Sequence, residues 1–169
     1  AAGHSHELAD ALAYWACRWF ALGEMPTTGR ERDPAAVLAR LHIAKPRRPL
    51  IAERMALVAR QAAFARVAAC LHIDCDTTLA QLAALAARLY AASDNFTVLH
   101  LVTSAHAVRL LLPWLDTDER NAALGQYWLA FVAGHAASGL TAGLPNAPPA
   151  ELRPWSEIVA RAIASDDDH

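Results

Sequence analysis

The residues of this chain best suited to chemistry lie in one apolar, helix-length segment, from Asp94 to Leu115. The segment carries two imidazoles, two hydroxyls and a guanidinium: His100, His106, Thr103, Ser104 and Arg109. Most positions between them are apolar, so the pattern predicts a buried helix. A buried polar group without a hydrogen-bond partner costs about 1–3 kcal/mol, so such groups need partners or a ligand. We therefore expect the functional site on this helix.

The spacing of the two histidines limits what they could bind together. Six residues advance an α-helix by roughly 600° and about 9 Å, so His100 and His106 point about 120° apart. Neighbours on one helix face are three or four residues apart, so these two cannot easily share a metal ion without other helices. Thr103 lies three residues from each histidine, and Arg109 follows His106 by three. The stripe is either a set of core histidines bonded to nearby carbonyls or hydroxyls, or the polar wall of a ligand pocket or metal site.

A second stripe, in the next helix-length segment, combines aromatic rings with a histidine. Tyr127, Phe131 and His135 follow one another at four-residue steps, so they share a helix face. This arrangement would suit a flat aromatic substrate, and it would equally suit an ordinary packed core.

Two further groups of metal-ligand residue types are less informative. The segment 72–76 contains a histidine, a cysteine and two aspartates, but no second cluster accompanies it, so we interpret it as a helix-capping surface loop. His4 and His6 are interpreted as part of a solvated end. The sequence has no glycine-rich phosphate loop, Cys-x-x-Cys, His-Glu-x-x-His or Gly-x-Ser-x-Gly motif, and so does not support a standard nucleotide site.

Composition predicts an all-α domain and excludes some partners. The chain has 169 residues, is 55% hydrophobic and carries a formal net charge of −2, which leaves no basic field for nucleic acid. Three cysteines, an odd number, are typical of a reducing compartment, so we expect a cytoplasmic protein. The apolar segment 96–115 approaches the length of a membrane span, but His100, His106 and Arg109 interrupt it, so no membrane association is expected.

Apolar periodicity and capping residues predict the helices that position these side chains. We expect six or seven helices in one domain over residues 1–165, followed by an acidic tail at 166–169. The predicted helices are 5–21, 34–41, 49–71, 79–92, 96–112, 116–138 and 149–164, with Thr78 and Gln81 as a capping box. The helix over 96–112 is expected to be central, buried on all sides and contacted by at least two others.

Two segments, in this order, resemble the questin oxidase-like proteins. Residues 7–16, ELADALAYWA, are similar to the stretch E-L-A-x-A-L-A-Y-W-A of that family. Residues 96–109, FTVLHLVTSAHAVR, are similar to its L-H-x-V-T-x-x-x-A-x-R helix, and Tyr127-Trp128 resembles a shorter feature.

The resemblance implies an α-helical oxidoreductase that acts on anthraquinone-type polyketides by Baeyer–Villiger-like oxygen insertion or ring cleavage. Some members use NADPH, and some resemble non-haem iron enzymes with histidine ligands. Mapped by motif, His100 becomes the candidate iron ligand or catalytic residue, with His106 and Arg109 as further catalytic candidates. The substrate pocket would then include Thr103, Tyr127, Phe131 and His135.

Family members are longer and carry a histidine-bearing helix before the segment that matches residues 7–16. We therefore expect this chain to correspond to the C-terminal part of a family protein, completed by an N-terminal partner fragment or by a homo-oligomer. The alternative is a non-catalytic α-helical ligand-binding or interaction domain with structural histidines. The enzyme interpretation requires a metal or a deep polar-lined cavity at His100, whereas the binding-domain interpretation predicts a closed core there.

Overall fold

The computed structural model describes residues 5–25, 29–140 and 153–165, and within these ranges the fold is all-α, as predicted. Eight helices and one short 3-10 turn are present there, and no strand is formed beyond an isolated bridge between Glu31 and Leu71. The elements are α1 (Ser5–Arg18), α2 (Pro34–Leu38), α3 (Ile51–Ala59), α4 (Ala62–Ala68), α5 (Thr78–Ser93), α6 (Phe96–Leu111), the 3-10 turn (Leu112–Trp114), α7 (Thr117–Ser138) and α8 (Trp155–Ala164).

Side-chain caps begin the helices where the sequence predicts breaks. The Asp33 side chain accepts a hydrogen bond from the Ala35 amide, and Asn95 accepts from the first amides of α6. Asp116 and Glu119 form a reciprocal capping box at the start of α7. These contacts satisfy amide groups that have no partner within the helix.

The predicted capping box at Thr78 and Gln81 is wrong. The Thr78 hydroxyl accepts a hydrogen bond from the Asp74 amide at 2.8 Å, so it stabilises the preceding loop instead of capping α5. The residue at the N-cap position of α5 is Thr77, and its side chain makes no capping bond.

The single long helix predicted over 49–71 is two helices in the structure. The chain breaks at Arg60 and Gln61, where Gln61 has an extended backbone, and α4 begins at Ala62. Both α3 and α4 pack on α7. One straight helix over the same residues would contact α7 only near the point where the two helices cross. Because α4 ends at Ala68, the carbonyl of this residue is accessible to the Trp128 indole, which donates to it at 2.8 Å.

The expected burial of the 96–112 helix is wrong, and α7 is the central helix instead. On α6 only one face is buried (Thr97, Val98, Leu101 and Ala105), and this face packs on α5 and α7. Contact with two other helices is therefore confirmed, but the opposite face is in solvent. In α7, every residue from Tyr127 to Ser138 is buried except the half-buried Ala130.

Small residues explain why α7 can be surrounded. Ala133, Ala136 and Ala137 are buried, and Gly134 allows α6 to approach so closely that an added Cβ would lie 2.8 Å from Leu101 Cδ2. Without large side chains on these positions, the neighbouring helices can pack on several sides of α7.

The outer helices α1 and α8 expose apolar side chains. Every described side chain on both helices is exposed, including Leu12, Trp15, Trp155 and Ile163. By length and composition, Phe96–Trp114 could cross a membrane, and 22% of its most apolar 18-residue stretch is buried. One such segment among the described residues is weak evidence of a membrane span, and the structure is compatible with a soluble protein. The acidic tail predicted at 166–169 lies outside the described residues.

Candidate functional site

The motif residues of α6 lie together on its solvent side, where they form a surface that we call the α6 histidine face: His100, Thr103, His106 and Arg109. All four are exposed, so they are not the buried polar groups that the sequence predicted. Exposed apolar side chains lie on the same helix and on the turn that follows it. At least half of the surface of each is in solvent: Phe96, Leu110, Leu111 and Trp114. The surface thus combines hydrogen-bonding groups with apolar contact area.

The ring of His100 is held in one orientation by its own helix. Its Nδ1 lies 2.8 Å from the carbonyl oxygen of Phe96, and since a carbonyl only accepts, Nδ1 carries the proton and donates. The ring also packs edge-on against the Phe96 ring, at 4.7 Å between centroids. In the neutral imidazole, Nε2 is therefore an acceptor that faces away from the backbone, the state needed for a general base or a metal ligand.

His106 has the opposite hydrogen-bonding character. The Arg109 guanidinium lies 3.3 Å from His106 Nδ1, and a guanidinium only donates, so this nitrogen accepts. The neutral ring then carries its proton on Nε2. The two imidazoles of the α6 histidine face thus offer an acceptor at His100 and a donor at His106.

The hydroxyl groups of this helix are largely engaged by its backbone. Ser104 donates to the His100 carbonyl at 2.6 Å, and Thr103 donates to the same oxygen at 3.3 Å. Serine and threonine commonly bond back to the preceding turn of a helix in this way. Thr103 therefore keeps its exposed oxygen as an acceptor, while its proton is used within the helix.

The aromatic stripe of α7 lies in the packed core. The Tyr127 hydroxyl donates to the Leu101 carbonyl at 3.0 Å, and burial raises the pKa of this phenol to about 12. Phe131 packs edge-on against Tyr127 and stacks on Trp128. The arrangement matches the packed-core interpretation, and it joins α6 to α7 directly behind the histidine face.

His135 is a second buried titratable group of this core. It is 3% exposed, and burial lowers the pKa of its imidazole. Its Nδ1 has no hydrogen-bond partner within the described part of the chain. The ring is therefore neutral in the folded protein near pH 7, and its protonation is linked to unfolding.

A separate cleft of about 460 Å³ lies at the N-terminal half of α7, and we call it the His72 cleft. Ten described residues line it: Glu24, Met25, Leu71, His72, Ile73, Asp118, Asn121, Ala122, Gly125 and Gln126. His72, predicted to lie in a surface loop, lines this cleft, which no sequence motif indicated. The lining residues of the cleft on α7, at positions 118, 121, 122, 125 and 126, recur at helical spacing, but no sequence signal shows that the other two segments meet them.

The rest of the segment 72–76 behaves as the predicted capping loop. Asp74 accepts hydrogen bonds from the amides of Asp76 and Thr77, and these bonds hold the pKa of its carboxyl below the usual value. Burial raises the pKa of the Cys75 thiol, so this side chain is not an activated nucleophile.

Comparison with known protein families identifies the class of the chain. The model described as questin oxidase-like matches residues 21–169. The chain belongs to the questin oxidase-like family. Its α6 motif lies within the matched residues, whereas the similar segment at 7–16 lies before them. Neither curated proteins nor solved structures provide a match.

The described residues of this questin oxidase-like chain do not by themselves form an iron centre. No group of three or more histidine, cysteine, aspartate or glutamate side chains within these ranges is placed to hold a metal ion. His100 has a suitably oriented Nε2 but no companion ligand on its face, since His106 presents a protonated nitrogen. Iron and NADPH therefore remain predictions from the family resemblance.

Proposed function

We propose that the α6 histidine face is one wall of the substrate site of an oxidoreductase that acts on polycyclic aromatic, anthraquinone-like molecules. Family membership supports an oxidoreductase-type function. The match between the family's L-H-x-V-T pattern and residues 99–103 directs the proposal to this helix rather than to another part of the surface.

The observation that carries the proposal is the opposite hydrogen-bonding character of His100 and His106 on one apolar face. A hydroxyanthraquinone has phenolic hydroxyls that donate and quinone carbonyls that accept. His100 Nε2 could take a hydrogen bond, and with further transfer a proton, from a phenol. His106 Nε2–H could donate to a carbonyl and stabilise negative charge that develops there.

The apolar residues beside these imidazoles would contribute the contact area. Phe96 and Leu110 are 56% and 50% exposed, and aromatic surfaces such as Phe96 pack well against planar rings. Arg109 would keep His106 in the donor form through its bond to Nδ1. A bound iron would supply oxygen activation, but His100 is the one suitably oriented ligand that the described part of this face provides.

The proposed site needs a cover, because a helix face open to water cannot exclude water from a reaction. The exposed apolar side chains of α1 and α8 are suited to a partner of this kind. We propose an N-terminal partner fragment or a second copy of the chain in this role. Concentration-dependent association in multi-angle light scattering would support this, and a monomer at all concentrations in the presence of that fragment would contradict it.

The substrate proposal is tested by titrating the protein with a dihydroxyanthraquinone and following the visible absorption of the dye. We expect His100→Gln and His106→Gln each to weaken binding by about threefold to tenfold, because the flexible amide of glutamine holds a hydrogen bond less firmly than an oriented imidazole nitrogen. The matched control is His42→Gln, since His42 is an exposed histidine outside α6.

Two outcomes would favour the non-catalytic interaction domain instead. One is the absence of dye binding by the protein, alone or with its partner. The other is an equal effect of all three histidine substitutions, which would show that the α6 histidine face has no special role in binding.

A further inference from the structure

The His72 cleft is built from three segments that are separate in sequence. Its first wall is one face of α7, formed by residues 118, 121, 122, 125 and 126, which recur at helical spacing. The second wall is the segment Leu71–Ile73, and the third is formed by Glu24 and Met25.

Backbone contacts hold the second wall in place. The His72 amide donates to the Glu31 carbonyl at 2.7 Å, and the Arg30 and Glu31 amides both donate to the Cys70 carbonyl at 3.0 Å. Gly29 lies so close to the Leu71 backbone that a Cβ could not be accommodated there. The wall is therefore a rigid element rather than a free loop.

The third wall is held against α7 by a glycine and an amide. A Cβ added at Gly125 would lie 3.2 Å from the Met25 side chain, so the glycine permits this close approach. Gln126 Nε2 donates to the Gly23 carbonyl at 3.4 Å, which leaves Gln126 Oε1 available as an acceptor. A cleft with three fixed walls needs little reorganisation to bind a ligand.

The size and the lining of the cleft indicate a small, mostly apolar ligand. Leu71, Met25, Ile73, Ala122 and Gly125 supply apolar lining, and the volume of about 460 Å³ lies within the range typical of small-molecule sites, roughly 300–1,000 Å³. A planar molecule of three fused rings would fit a space of this size.

The charged residues that line the cleft indicate which charge the ligand carries. Glu24 and Asp118 line it, and none of the ten described lining residues is lysine or arginine. The side chains of Glu24 and Asp118 have no ion-pair or hydrogen-bond partner among the described residues. The capping bonds at the start of α7 are made by Asp116 and Glu119, not by Asp118. Two carboxylates beside an apolar wall repel anions and attract cations.

We propose that the His72 cleft is a binding site for a small, largely apolar molecule that carries a positively charged nitrogen. The apolar walls hold the apolar part of that molecule, and Glu24 and Asp118 face its charge. This site is independent of the substrate proposed for α6, and its lining makes it unsuitable for a phosphate-bearing cofactor.

The test uses a fluorescent cationic acridine, proflavine, titrated into the protein and followed by fluorescence anisotropy. The neutral tricyclic acridone and the anionic anthracene-2-sulfonate serve as shape-matched ligands. We expect proflavine to bind more tightly than both. The double variant Glu24→Gln/Asp118→Asn should weaken proflavine by about tenfold and leave acridone unchanged, since it removes charge and not shape.

A blocking variant and its control locate the site. Ala122 is exposed on the α7 wall, so Ala122→Trp should fill the cleft and abolish proflavine binding. Ala65→Trp adds the same ring on an exposed helical position outside the cleft, and His100→Gln alters the α6 site; both should bind proflavine like the unmodified protein. Circular dichroism checks that each variant keeps its helical content.

The proposal is overturned if acridone or the sulfonate binds as tightly as proflavine, or if the charge variant binds proflavine unchanged. It is also overturned if the Ala65 variant loses binding as the Ala122 variant does. Because His100→Gln is expected to be silent here and to weaken the anthraquinone, failure of one proposal is distinguishable from failure of the other.

Discussion

Helices α6 and α7 are adjacent and similar in type, yet one lies at the surface and the other is the centre of the fold. By composition α6 is the more apolar of the two. It nevertheless exposes Phe96, Leu110 and Leu111, whereas the final dozen residues of α7 are almost entirely buried, His135 included.

The difference shows that the capacity to be approached closely, rather than hydrophobicity alone, determines which helix is central. In α7, the rings of Tyr127, Trp128 and Phe131 fill the core, and the small residues that follow them, including Ala133 and Gly134, let neighbouring helices approach. In α6, long apolar side chains and two histidines occupy most of the circumference. That surface is suited to a ligand or a partner.

The largest expected effect is the truncation of the central tryptophan. Trp128→Ala removes a side chain that is fully buried and donates to the Ala68 carbonyl, so we expect a loss of about 3–5 kcal/mol in the free energy of unfolding. Urea unfolding measures it. Trp114→Ala, which truncates an 85% exposed ring next to α6, is the matched control and should change stability by less than about 0.5 kcal/mol. Equal losses would abolish the distinction between the two helices.

A smaller effect is expected for the hydrogen bond that joins the two helices. Tyr127→Phe removes the bond to the Leu101 carbonyl and should cost about 1 kcal/mol, the usual net value of one such bond. The unmodified protein should also lose stability as the pH rises above about 10 towards about 12, because the unfolded phenol ionises first. The variant should lack this decline, and a decline of the same size in both proteins would rule out Tyr127 as its source.

The buried histidine should make stability depend on acid. His135 has its ordinary pKa near 6.5 in the unfolded chain and a lower pKa when folded, so below pH 6.5 the unfolded state binds more protons. The free energy of unfolding should therefore fall as the pH drops below 6.5 and be independent of His135 above it. Thermal unfolding from pH 8 to pH 5 tests this. His135→Phe should flatten the decline, whereas His106→Gln, on the exposed face of α6, should leave it in place.

The smallest stability effect is expected at the α6 histidine face itself. His100→Gln/His106→Gln replaces two exposed side chains, so stability should change by less than about 0.5 kcal/mol even where anthraquinone binding is lost. Chemical unfolding beside the dye titration separates the two quantities. A loss above about 1 kcal/mol would mean that these histidines have a structural role.

Much of the local structure could be predicted without coordinates. The breaks before α2, α6 and α7 follow from Asp33-Pro34, Asn95 and the Asp116–Glu119 pair, because each places a side-chain acceptor next to unpaired amides. The family motif likewise identified His100 and His106 on one helix, and their angular separation follows from helix geometry.

Other features depend on contacts between residues distant in sequence. The break at Arg60 and Gln61 contains no proline or glycine that would predict it from the sequence. It lies where α3 and α4 both pack on α7. The His72 cleft joins residues from three separate segments around Gly125. Neither could be inferred from a periodic pattern within one segment.

The sequence alone determined that the chain is helical, where most helices begin, and which helix carries the family motif, because capping and periodicity are local properties. Only the tertiary structure decided that α7 is buried and that the histidines of α6 face outward. Two apolar helices have the same local energetic preference for burial, and which of them is enclosed depends on how closely the other helices can approach. In this protein, Gly134 and the alanines around it allow the close approach that makes α7 the central helix.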